Sequence, residues 1–307
     1  MTRYVIRRLL QFFPVVIAAT FIIFALVFAI PGDPIRALSG DRPLSEAVQQ
    51  TLRDRYNLDD PLLVQYGKYV LNVVQGDFGT TFQGRPVGDI IAQRAPVTIR
   101  LALTAFVIQG VIGLIAGVLA ALRRQGFIDT LVQVSTTILV AIPGLVLAMV
   151  GQVTFGLYLG WFPIAGIGQG WYSYILPAAV LASASTALIA RLLRTSLIEN
   201  LRADYVRSAT AKGLTRSRVV GRHALRNSLI PVVTFMGADL GAMLGGTVII
   251  EGIFNLPGLG GEIFRAIGAQ EGTVIVGIVT LLVLVFLVLN LIVDILYAYL
   301  DPRIRYD

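Results

Sequence analysis

The 307-residue sequence contains no cysteine, which excludes disulfides, thiolate metal sites and cysteine nucleophiles and leaves the redox compartment undetermined. It has a single histidine, His223, set among arginines, so metal ligation and acid–base chemistry have little to build on. Charge is scarce as well, with Asp, Glu, Lys and Arg together making up 14% of the chain, against about 25% in a soluble domain. No Walker A pattern G-x-x-x-x-G-K-[ST] occurs, so any nucleotide that energises this chain must be bound by another polypeptide. What is abundant is apolar: 56% of residues are hydrophobic and the mean hydropathy is +0.77, values that belong in a bilayer. The net charge of +7 comes in bursts between apolar runs, as membrane-flanking charge does, and not as a nucleic-acid-binding surface.

Residues 9–30 follow Arg3, Arg7 and Arg8. At about 22 residues this run exceeds the core of a signal peptide and suffices to cross roughly 30 Å of hydrocarbon, so it reads as a retained first span. Further apolar runs at residues 97–122, 131–159, 175–193, 230–250 and 274–300 bring the expected helical crossings to six. Lys and Arg cluster at the N-terminus, at Arg123-Arg124, over residues 191–226 and in the tail, which predicts that both termini are cytoplasmic. Residues 31–96 form a long outer loop, in which Ser45-Glu46 and Asp60-Pro61 each predict the start of a short helix. Gly76 predicts the end of the second, and residues 76–96 read as an irregular return to the membrane. The expected organisation is residues 1–30 as N-terminus and first span, 31–96 as extracytoplasmic loop, and 97–307 as a five-helix core carrying a cytoplasmic segment at 195–229.

That last segment is the most informative. Within residues 204–231, Ala209, Ala211 and Gly213 offer a small-residue surface while Arg207, Lys212, Arg216, Arg218 and Arg222 supply charge. Such a surface suits docking by another protein; the alternative is a basic amphipathic helix lying on anionic headgroups. Inside the spans, Asp239 and Asp294 must face protein or water, because an exposed charge there costs on the order of 2.5–3.5 kcal/mol. An aspartyl intramembrane protease would use such a pair, but Gly237-Ala238-Asp239-Leu240 lacks the glycine expected immediately before the aspartate. Gln109, Gln133, Gln152 and Asn290 are further polar groups that either line a passage or pack between helices. Gly113 with Gly117, and Gly237 with Gly241 and Gly245, recur every four residues along helix faces and predict close backbone approach.

In order along nearly the whole chain stand Pro31-Gly32-Asp33-Pro34, Gly76-Asp77-Phe78-Gly79, Pro86-Val87, and Pro96 with Thr98. They are followed by Asp204-Tyr205-Val206, Ala209, Ala211-Lys212-Gly213, His223-Ala224-Leu225-Arg226-Asn227, Pro231, Glu251, Phe254 and Pro257-Gly258-Leu259-Gly260. With these residues the chain resembles the first of the two permeases of binding-protein-dependent dipeptide and oligopeptide ABC importers. The resemblance implies an all-α integral membrane fold with six transmembrane helices, a structured outer loop after the first, and a cytoplasmic coupling helix between the fourth and fifth. The implied coupling residues are Asp204, Tyr205, Arg207, Ala209, Ala211, Lys212, Gly213 and Arg216. Glu251, Phe254, Pro257, Gly258 and Gly260 are candidates for an outer gate, and Asp239, Asp294, Gln152 and Asn290 for pore lining or packing. The family comparison further implies that the chain binds no cofactor and is not itself an enzyme. Its partners would be a second homologous permease, two ATP-binding subunits or domains carrying ATP and Mg, an extracytoplasmic solute-binding protein, and membrane lipid. The location would be the bacterial cytoplasmic membrane. Dipeptides or oligopeptides are the expected cargo, with nickel, glutathione or haem as alternatives within the class. An ion-gradient-driven secondary transporter is the rival from another class, though the paired broken spans common in such carriers are not evident.

Overall fold

In a computed structural model, residues 2–28, 50, 53 and 59–300 are described. Among them the regular elements are helices, apart from one isolated bridge between Thr80 and Pro86. The helices are α1 (Thr2–Phe28), α2 (Leu62–Val74), α3 (Val87–Leu122), α4 (Phe127–Ala141), α5 (Gly144–Gly151), α6 (Tyr172–Leu201), α7 (Asp204–Ala211), α8 (Leu225–Ile253), α9 (Leu259–Gly268) and α10 (Gly272–Leu300). The stretches Arg7–Phe28, Val87–Leu122, Tyr172–Leu201, Arg216–Ile253 and Gly272–Ile295 are each long and apolar enough to cross a bilayer.

The third expected crossing, residues 131–159, is not one straight helix. α4 and the stretch Gly144–Tyr158 meet at 103°. Pro143 explains the break: it has no N–H to give to the preceding turn, and it forces Ile142 before it into an extended conformation at φ −87°, ψ 124°. Counted as one bent span, the pair brings the candidate crossings among the described residues to six. A second difference lies at residues 87–96, read as irregular but helical here. Pro86 precedes the first turn of α3, and Pro96, expected at the end of the irregular stretch, sits within the helix, where it removes one backbone bond without ending it. The helix expected at Ser45 and the Pro31-Gly32-Asp33-Pro34 motif fall outside the described residues.

The described residues divide into two compact units, one made of those up to residue 98 with 257–291, the other of 99–256 with 292–300. In the first, α1 and α2 meet through Phe21, Phe24, Tyr66 and Tyr69, with Tyr66 donating to the Ile17 carbonyl at 3.0 Å. α2 ends as Gly76 predicts. At φ +83° Gly76 donates to the Val73 carbonyl and Asp77 to that of Asn72, both at 2.9 Å, which satisfies two carbonyls of the last turn. Asp77 Oδ1 then accepts from the Gly79 amide at 2.8 Å, and a Cβ on Gly79 would meet the Thr273 methyl at 2.5 Å. The signature Gly76-Asp77-Phe78-Gly79 is therefore a tight turn seated on α10. A pocket of about 260 Å³ in this unit is lined by Phe24, Gln65, Lys68, Tyr69 and Thr80, among others.

In the second unit, α3 buries Leu101, Ala105, Gln109 and Ala121, one residue per turn, and turns Leu103, Val107, Val111 and Ile115 outward. Small residues on the buried face let α6 approach. A Cβ on Gly113 would lie 2.7 Å from Ile189 Cγ2, and one on Gly117 would lie 2.9 Å from the Ala190 carbonyl. Gly237 packs on Val293 and Gly246 on Leu181 in the same manner, whereas Gly245 faces open space. The outward apolar rows suit hydrocarbon or a second membrane-embedded chain.

Candidate functional site: the coupling segment

α6 continues eight residues beyond its expected end, to Leu201, and the chain reverses through Arg202 and Ala203, whose amides donate to the Glu199 and Asn200 carbonyls at 3.1 Å. Asp204 opens α7, where a carboxylate complements the positive helix end. The helix ends at Gly213 with φ +80°. Gly213 donates to the Thr210 carbonyl at 3.0 Å and Leu214 to that of Ala209 at 3.4 Å, while the Leu214 side chain packs back on the segment's core. Thr215 then leads into Arg216–Arg218, the π-helical turn Val219–Ala224 and α8.

α7 has two faces. Val206 and Ala209, 5% and 7% exposed, pack with Ala121, Leu197, Val219 and Ala224 of the same chain. Asp204, Tyr205, Arg207, Ser208, Ala211 and Lys212 are exposed, as are Gly213 and Arg216 beyond the helix end. This corrects one expectation: Ala209 does not share an open small-residue surface with Ala211 and Gly213, because the helical period turns it three residues on from Val206 into the protein's interior. It also bears on the lipid reading, since the apolar face that a headgroup-lying helix would sink into the bilayer is already occupied. The Asp204–Arg207 pair at 3.7 Å is almost fully exposed and contributes little to stability.

The segment rests on a scaffold that the sequence reading missed. Arg194 of α6 grips Asp129 of α4 with two parallel hydrogen bonds, Nε to Oδ1 and Nη2 to Oδ2, the latter at 2.8 Å. The Gln125 amide and Gln133 Nε2 complete the carboxylate's partners at 2.8 and 3.0 Å. Asp129 is 1% exposed and the Arg194 side chain 20%, so a buried carboxylate is held by a guanidinium that still reaches the surface. One turn earlier on α6, Arg191 donates to the hydroxyls of Thr136 and Thr137 at 2.9 and 2.6 Å. The available signal was an acid just ahead of one apolar run, and two arginines three residues apart at the end of the next.

The remaining expected residues are distributed differently. Gln152 donates to the carbonyls of Ile164 and Ile253 at 2.8 and 3.0 Å, a tie between two backbone segments. Asn290 bonds within its own helix, to the Phe286 carbonyl at 3.1 Å. Asp239 accepts from the Ser185 hydroxyl at 2.9 Å across the α6–α8 contact, and Asp294 is half-buried on α10. Gln109 is fully buried. Of the outer-gate candidates, Glu251 and Phe254 are 0% and 1% exposed at the end of α8, where Leu256 donates to the Glu251 carbonyl at 2.9 Å. In the other unit Pro257 is half-buried and Gly258 and Gly260 are buried; the amide of Leu259 between them donates to Thr98 Oγ1 at 2.9 Å.

Comparison with known proteins adds the following. Residues 113–306 match the family described as binding-protein-dependent transport system inner membrane component, and residues 1–102 match its N-terminal counterpart. The sequence is 38% identical over 307 residues to the glutathione transport system permease protein GsiC of Escherichia coli (strain K12), covering 100% of both chains. It is 39% identical over 315 residues to a putative peptide transport system permease protein of Brucella abortus (strain 2308), again covering 100% of both. Among solved structures, an inward-facing MetNI methionine ABC transporter superposes with a TM-score of 0.59 at 19% identity, over 69% of this chain and 96% of that one. An amino acid ABC transporter gives 0.55 at 13% identity, over 69% and 94%. At these identities the two structures establish the fold.

Proposed function

This chain belongs to the binding-protein-dependent transport system inner membrane component family, and from that premise we propose that it forms one half of the translocation pore of a peptide importer driven by ATP on partner subunits. It is a multi-pass inner-membrane permease of the ABC type. The peptide cargo is supported by the relatives named above, one serving glutathione, itself a tripeptide, and one assigned to peptides. A second permease, two ATP-binding subunits with their Mg, and an extracytoplasmic solute-binding protein complete the assembly. The outer loop of residues 31–96 contributes to receiving that protein.

The observation that carries the reading is the two-faced helix α7. Its inner face is committed to the chain's own core, so a push on its outer face is passed to α6, α3 and the base of α8 through Leu197, Ala121 and Ala224. Asp204, Tyr205, Arg207, Ala211, Lys212 and Arg216 meet the ATPase, and Gly213 shapes the helix end. Nucleotide-driven closure of the ATPases shifts the population between inward- and outward-facing pores, and the free energy comes from the partners. Glu251, Phe254, Pro257, Gly258 and Gly260 belong to the outer gate.

The test is reconstitution of the assembled importer in proteoliposomes with its binding protein. Uptake of labelled peptide should require ATP and survive collapse of proton and sodium gradients. Uptake that follows an ion gradient without ATP contradicts the reading.

A further inference from the structure

Both tryptophans of the chain, Trp161 and Trp171, lie in the short connection between the bent third span and α6. They are 57% and 64% exposed, flanked by Tyr158 at 80% and Tyr172 at 43%. Residues 130–190, which include this connection, contain no Asp, Glu, Lys, Arg or His. An aromatic, charge-free surface of this kind is unlike one that meets water, where aromatic area is left unsatisfied.

The connection is also held in place. Trp161 donates its amide to the Phe155 carbonyl at 2.9 Å, and the Tyr172 hydroxyl donates to the Trp161 carbonyl. Gln152 ties Ile164 to Ile253, and the Gly166 amide donates to the Phe254 carbonyl at 3.0 Å. These bonds join the aromatic loop to the end of α8.

We propose that residues 158–172 lie in the headgroup region of the bilayer and hold the Ile253-Phe254 turn at that depth. Two arguments favour lipid over a docking protein. The loop is continuous with membrane-crossing surface at both ends: Phe155 and Leu157, 37% and 61% exposed, lead into it, and the span Tyr172–Leu201 leads out. Its chemistry is that of the aromatic belt, in which Trp and Tyr set an apolar ring against acyl chains and a polar N–H or O–H toward headgroups and water. A soluble partner would be steered and registered by charge, and this loop offers none. The inference rests on the membrane location of the chain and is independent of its cargo.

Tryptophan emission provides the test. The assembled importer and its Trp161→Phe/Trp171→Phe variant are placed in nanodiscs, and the difference between their emission spectra isolates the loop from partner tryptophans. Each single Phe variant, checked for assembly by size-exclusion chromatography, separates the two positions. The difference emission should be blue-shifted, resist aqueous iodide, and lose most of its intensity with phosphatidylcholine brominated near the headgroup end of its chains. Bromination near the chain terminus should quench less. Free quenching by iodide without quenching by either lipid overturns the proposal, as does stronger quenching by the deep bromine. Shielding that develops only when the solute-binding protein is added, or shielding from both iodide and bromolipid in its absence, also overturns it and identifies a protein contact instead.

Discussion

Substituting Gly213 separates a conformational role from a contact role at the end of α7, the helix proposed to couple the pore to the ATPase. Gly213 adopts φ +80°, and a Cβ built there meets no atom within 4 Å, so added volume creates no clash within the chain. The penalty is backbone strain. An L-residue in the left-handed region costs roughly 1–2 kcal/mol, which lowers the population of the correctly ended helix by about 5- to 30-fold. Asn visits that region far more readily, and a β-branched residue least readily. ATP-driven uptake and the ATPase rate in proteoliposomes should therefore fall in the order Gly, Asn, Ala, Val, with membrane insertion unchanged. Asn is larger than Ala, so the order discriminates between causes. If Ala is tolerated better than Asn, size at a docking contact controls the site and the conformational argument is refuted.

Removing Arg194 leaves the buried Asp129 carboxylate without its counterpart, so Arg194→Ala should cost about 3–5 kcal/mol, and Asp129→Ala less, because the Arg194 side chain is 20% exposed and can turn to water. A thermal or denaturant melt in detergent reads this loss, and Asp129→Leu/Arg194→Leu should recover part of it; three equal losses contradict the pairing. Glu271, ahead of α10, is held above the ordinary carboxylate range first by burial and second by the Glu262 charge. The folded protein thus keeps a proton that the unfolded chain has released. This contribution to stability is full below the ordinary carboxylate pKa and is lost as pH rises through the raised folded value. Glu271→Gln should flatten that fall in melting temperature, and an unchanged profile rules the contribution out.

The spans and the short helix α7 were legible because their signals are local. Runs of about twenty apolar residues, bursts of Arg, and Gly113 with Gly117 at a spacing of four each act within one helix or its nearest contact. Pro143 was legible too, but the hydropathy of residues 131–159 masked it; the extended residue before a proline outweighed the apolar run. Residues 87–96 misled in the opposite direction: Gly and Pro there suggested irregular chain, but a proline inside a long membrane helix removes one hydrogen bond without ending it. Ala209 was grouped with Ala211 and Gly213 by size, whereas its phase relative to Val206 decides where it points. The Asp129–Arg194 pair could not be assigned from sequence, because 65 residues separate its members and only the packing of α4 on α6 brings them together.

What touches the outer face of α7 decides whether this helix links the pore to an ATPase. The absence of native cysteine makes the measurement clean on this chain: Ser208→Cys and Ala211→Cys are introduced singly into the assembled importer beside Ala209→Cys and exposed to a short bifunctional cross-linker. Positions 208 and 211 should capture the ATPase subunit, with a yield that changes on adding ATP, while position 209 should not. Capture of phospholipid alone at 208 and 211, or equal capture of the ATPase at 209, contradicts the account.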